Sequence, residues 1–127
     1  TGTGFTSITN TAPYSGVTTT KLTLTNPPST YYGYIYRCVA TNGASTVISS
    51  TRTLKFSITW SGLTSGAWGL TSNWSCGVIP SANTDVIIPT GTPFTPAITS
   101  DVTCRSVDVK PGATLRVNGF KLTVTGK

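Results

Sequence analysis

The chain has 127 residues, only 9% of them charged, and a formal net charge of +6. That length suggests one domain or two small ones. His, Glu and Met are absent, which removes the commonest general base and zinc ligand and thins out the usual helix formers, so histidine-based catalysis and a helical fold are both excluded.

The nine basic residues, Lys21, Arg37, Arg52, Lys55, Arg105, Lys110, Arg116, Lys121 and Lys127, stand singly along the chain. No block of them makes an electrostatic footprint for nucleic acid, and a nucleic-acid partner is not expected. No signal peptide and no membrane-spanning apolar run is present, so membrane insertion is not expected. The opening "TGTGFTSITN" reads as an internal stretch of a processed or excised chain.

In chain order, "GVTTTKLTLTN" alternates, with Leu22 and Leu24 on one face and Thr23 and Thr25 on the other, and this predicts a strand. "NPPST" ends it, because proline has no N–H to give to a ladder. "YIYRCVATNG" alternates again, placing Tyr36, Cys38 and Ala40 on one face and Ile35, Arg37 and Val39 on the other. Asn42-Gly43 predicts a hairpin turn, since both residues tolerate positive φ, and "STVISSTRTLKFSI" is the returning strand.

These residues resemble the later half of the immunoglobulin-like repeats in large surface proteins of Bacteroidota, with Tyr14, Leu22, Leu24, Tyr36, Cys38 and Leu54 on the pattern. The resemblance implies an immunoglobulin-type sandwich lacking its first half, including the strand with the core Trp and the first Cys. Half a sandwich cannot bury its inner face, so the expectation is that strands preceding residue 1, or another chain, complete it. Cys38 is then buried and free, paired with an upstream cysteine, or bonded between chains.

From about Ser57 the chain is loop-rich up to a short apolar strand, Val86 to Ile88. Short alternating runs follow: Val107 and Val109, Leu115 and Val117, Leu122 and Val124, separated by Pro111-Gly112 and Asn118-Gly119. Runs this short and evenly spaced fit either hairpins or the rungs of a parallel β-solenoid. Trp60, Gly62, Trp68, Asn73, Trp74, Gly77, Pro80, Asp85, Val86, Ile88, Pro89 and "GATL" (112–115) resemble the opening of β-solenoid-like modules that follow such repeats in secreted Bacteroidota proteins, many of them type IX secretion cargo. The predicted fold class is all-β: a partial immunoglobulin-like sandwich over 1–56, then over 57–127 the start of a β-solenoid-like or second β-sandwich module that reads as cut off where its coils begin to stack.

Asp85, Asp101 and Asp108, the only carboxylates, each precede Val. They are read as turn caps or strand starts; a catalytic pair or a Ca²⁺ site needs them to converge. No cofactor or metal is implied. Within the secreted context of the resemblance, a Cys76–Cys104 disulfide is expected, stapling the irregular loop to the first regular rung and contributing about 2–4 kcal/mol. Trp60, Trp68 and Trp74 either plug the open end of the stack or stack on sugar rings. Tyr31, Tyr32, Tyr34 and Trp68 are the candidate contact surface. Asn73-Trp74-Ser75 formally matches an N-glycosylation acceptor, a match that the bacterial context of the resemblance implies is accidental.

The function expected from the resemblance is non-enzymatic: a structural or adhesive fragment of a large secreted or cell-surface protein. Its partners would be neighbouring modules or identical chains, and surface polysaccharide is a further candidate. The alternatives are a carbohydrate-binding accessory region of a polysaccharide-active enzyme, and a filament subunit assembled by strand complementation.

Overall fold

The computed structural model describes residues 4–126; the first three residues of the opening stretch, and Lys127, lie outside them. Two compact units divide after Tyr31. Among the described residues there is no α-helix, only 3₁₀ turns at Ser29–Tyr31 and Thr71–Asn73 and small β-sheets. Among the described residues no helix is long and apolar enough to cross a membrane.

In the first unit β1 (Tyr14–Ser15) pairs antiparallel with β2 (Thr23–Leu24). Leu24 is half-buried there and Leu22 is exposed, so the alternation read from the sequence yields two paired residues and no core.

The second unit begins with one long hairpin. β3 (Ile35–Tyr36) pairs with β6 (Arg52–Thr53), and β4 (Val39–Thr41) pairs with β5 (Thr46–Ile48), all antiparallel. Asn42-Gly43 lies in the turn as expected. Gly43 takes a φ of 84°, and Asn42 closes a four-residue loop through its backbone N–H to Ser45 O at 3.1 Å and its Oδ1, which accepts from Ser45 N at 2.9 Å. Val39, Val47 and Ile48 are 52%, 68% and 52% exposed.

The remainder runs differently. β7 (Ser57–Thr59), β8 (Asp85–Ile88) and β10 (Ser106–Val109) form a parallel sheet with β8 central. β9 (Val102–Cys104) pairs parallel with β11 (Leu122–Val124), and parallel bridges join Ala67 to Ala97 and Ala97 to Arg116. The chain therefore passes the same three positions repeatedly, and its last repeat advances about 20 residues at each of them. Parallel strands require crossovers, usually helical ones. Here the crossover is itself β-structure and turns, such as Asn118-Gly119, both at positive φ, with Phe120 N donating to Val117 O at 3.1 Å. The runs near the C-terminus, which the sequence left open between hairpins and rungs, pair only in parallel among the described residues.

Register explains the core. Val86 lies between Ile58 and Val107, Ile88 pairs with Val109, and Cys104 pairs with Val124. A parallel ladder puts like positions above one another, so an apolar residue at an inward position covers the one before it. The buried core is Ile58, Trp60, Trp68, Trp74, Val86, Ile88, Ile98 and Cys104, with Val107, Leu115 and Leu122 packed against it. Every buried residue lies at or beyond Ile58; none lies between residues 4 and 57.

Candidate functional site

The tryptophans lie at the start of the parallel region. Trp74 packs edge to face against Trp60 (centroids 4.9 Å, 82°) and against Trp68 (4.8 Å, 78°), and all three rings are at most 3% exposed. Trp74 Nε1 donates to Trp68 O and Trp60 Nε1 to Phe94 O, each at 2.8 Å. The arrangement needs Gly62: with φ at 56°, a Cβ there would lie 2.5 Å from Phe94 O and 2.6 Å from Trp60 Nε1. Trp68, a candidate contact residue, is 1% exposed and offers no ring to a ligand; it belongs to the buried core cluster, and its N–H donates to Ala97 O at 3.1 Å.

Asn73 holds the loop beneath these rings. Its Oδ1 accepts from Thr64 N (3.0 Å) and Ser65 N (3.1 Å), and its Nδ2 donates to Ser65 Oγ (3.2 Å) and Ala67 O (3.0 Å). The side chain is fully buried and every hydrogen-bonding position is in use, so the Asn73-Trp74-Ser75 acceptor sequence presents no amide to a glycosylating enzyme. Sequence reasoning missed this role; the pattern of an Asn beside a Trp carries no signal for it.

The second cluster gathers residues far apart in sequence. Asp85, at the start of β8, accepts from Tyr32 OH (2.6 Å) on one oxygen, and from Arg105 Nη1 (3.0 Å) and Ser106 Oγ (2.5 Å) on the other. The Arg105 guanidinium also sits 4.3 Å over the Tyr32 ring. Burial alone would raise the Asp85 pKa; donation from Ser106, Tyr32 and Arg105 outweighs it and holds the carboxyl below its usual range. Burial, then the hydrogen bond to Asp85 and its charge, pushes the Tyr32 hydroxyl up. A carboxylate engaged by three donors is an anchor rather than a poised base. Asp85 was expected to begin a strand, and it does; its partners are legible only once β8 and β10 are in register, Ser106 opposite Asp85.

The other expected residues are scattered. Tyr31 stacks on Tyr14 (6.2 Å, 24°) in the first unit, Tyr32 is held at Asp85, and Tyr34 is 48% exposed. Asp101 Oδ1 accepts from Lys121 N at 2.9 Å, and Asp108 forms an exposed ion pair with Lys110 at 2.6 Å, so the three carboxylates do not converge. The expected Cys76–Cys104 bridge is not formed. Cys104 is wholly buried in the core, Cys76 is exposed, and both are free thiols, as is exposed Cys38. Burial, then the charge of Asp85, raises the Cys104 thiol. A depression of about 110 Å³ between residues 89–92, 95–96 and 112–114 carries no charged side chain and is too small for most ligands.

What the fold and site define is a β-rich protein of small sheets, with a three-stranded parallel sheet, a buried tryptophan cluster and a hydrogen-bonded Asp85. Residues 59–127, more than half the chain, match DUF8693, a domain of unknown function, and the chain belongs to that family. No curated protein and no solved structure matches it.

Proposed function

We propose that this chain is a non-enzymatic structural element of a secreted or cell-surface protein, in which residues 57–126 are the covered beginning of a parallel β-solenoid and residues 33–54 a hairpin of an immunoglobulin-like sandwich. The observation that carries this reading is the column of inward residues. Ile58, Val86 and Val107 stand in one line through three successive turns, and the tryptophans cover the line at its start. Solenoids need such terminal covering, because each turn buries its apolar face only against its neighbours. The resemblance to Bacteroidota surface proteins supplies the context of type IX secretion and a stalk or adhesive role.

The polysaccharide-binding alternative would have to rest on the tyrosines, since Trp68 is buried and Arg105 lies over one face of Tyr32. Assaying the purified chain against a panel of polysaccharides tests the proposal: no cleavage is expected, and turnover of any member overturns it. Glycan binding that disappears in Tyr34→Ala would favour the alternative.

A further inference from the structure

Two Asn-Gly pairs stand in exposed turns, Asn42-Gly43 at the tip of the hairpin and Asn118-Gly119 ahead of β11. The dipeptide is chemically special. Glycine puts no Cβ beside its own nitrogen, so that nitrogen can approach the carboxamide carbon of the asparagine before it. By sequence the two pairs are alike, and by structure they are not.

The Asn42 carboxamide folds forward over its own loop. Its Oδ1 accepts from Ser45 N at 2.9 Å, three residues on, while the Asn42 backbone N donates to Ser45 O at 3.1 Å. The Asn118 carboxamide is turned to another segment, with Nδ2 donating to Ile98 O, 20 residues earlier, at 3.4 Å. Among the described residues neither Gly43 N nor Gly119 N donates a backbone hydrogen bond, so the difference between the pairs lies in their side chains.

We propose that Asn42 is a site of spontaneous covalent modification, converted to aspartate and isoaspartate through a cyclic imide, and that Ser45 N–H promotes the reaction. Gly43 N gives up its proton to hydroxide and attacks Asn42 Cγ. The new N–C bond places negative charge on Oδ1, the oxygen to which Ser45 N already donates. That hydrogen bond strengthens as its acceptor becomes charged, so the turn stabilises the intermediate more than the starting amide. The Cγ–Nδ2 bond then breaks, and Nδ2 leaves as ammonia after taking a proton from water. A second water opens the imide at either carbonyl. One opening gives aspartate; the other routes the main chain through the side chain and adds a methylene to the loop. Both put one negative charge at the tip. The two bonds to Ser45 restrain the loop, but residues 42–45 are all exposed, so the adjustment that ring closure needs opens no core. Asn118 has no matching donor on Oδ1 among the described residues, and its Nδ2 is tethered away from its own following residues.

Mass spectrometry of the full chain held at mildly alkaline pH tests this. Cleavage after Arg and Lys yields fragments 38–52 and 117–121, each carrying one Asn-Gly pair. Replacement of –NH₂ by –OH is expected about fivefold faster or more in 38–52, the value of one hydrogen bond gained on a charged acceptor. In guanidinium chloride, where local sequence acts alone, the two rates should converge. Ser45→Pro removes the donor and should slow the reaction of 38–52 by a similar factor, whereas Ser45→Ala keeps the N–H and should leave the rate unchanged. Tryptophan emission reports that the parallel region stays folded in each variant. Equal rates in the folded chain, a faster reaction at 117–121, a difference that survives denaturation, or an unchanged rate in Ser45→Pro would each overturn the proposal. No step depends on the stacked-turn reading, so this result stands whatever the polysaccharide assay gives.

Discussion

Residues 4–56 and 57–126 use the same kinds of side chain and give them opposite surroundings. Val47 is 68% exposed and Val86 1%; Cys38 faces solvent and Cys104 is sealed. Both regions are β-structure with alternating patterns, so propensity does not make the difference. What differs is the number of layers. A two-stranded hairpin has no third element to close either face and is marginal alone. In the parallel region β8 has a partner strand on each side, and its inward Val86 and Ile88 are dry.

Thiol chemistry should give the largest contrast. In native protein Cys38 and Cys76 should react with a thiol reagent at once. Cys104 should react only through opening of the core, about a thousandfold more slowly or less. Equal rates would break the comparison. Next in size, Trp74→Ala removes the ring that touches both other tryptophans and should cost about 3–5 kcal/mol in denaturant unfolding of the parallel region.

Gly62→Ala adds one carbon in a left-handed conformation and against Phe94 O, and should cost at least about 1–3 kcal/mol, with the Trp60 hydrogen bond disturbed. A paired test sharpens the contrast between regions: Val86→Ala should cost about 2 kcal/mol, and Val47→Ala less than about 0.5 kcal/mol. Similar costs would mean that the hairpin is covered in solution.

A pH-dependent effect belongs to the anchor. The Asp85 pKa is lowered in the folded state, so its contribution to stability is present above the unfolded carboxylate value, near 4, and fades as pH falls through the lower folded value. Tyr32→Phe should cost about 1 kcal/mol at neutral pH and flatten the acid limb of stability against pH. An unchanged acid limb would show that Tyr32 does not hold Asp85.

Several elements were legible before the structure. The Asn42-Gly43 turn, the strand around Val86 to Ile88, and the runs at 107–109 and 122–124 are local patterns that read directly. Of the two readings of the three tryptophans, burial is the one the structure bears out. The disulfide did not follow: cysteine counting cannot see that Cys104 is an inward rung position while Cys76 stands on an exposed loop. The Asp85 cluster was also invisible, because Tyr32 lies 53 residues before it and Arg105 and Ser106 reach it only through the parallel pairing of β8 and β10.

By itself the amino-acid sequence determined the all-β character, through β-branched alternation and missing helix formers, and it placed most turns, because glycine, asparagine and proline act on their own φ angles. The tertiary structure alone decided that the C-terminal runs pair in parallel, which residues stand above one another, and where carboxylates and thiols end up. Those outcomes depend on register between segments about 20 to 30 residues apart, and register is settled by what each segment finds to pack against, a contact that no local pattern encodes.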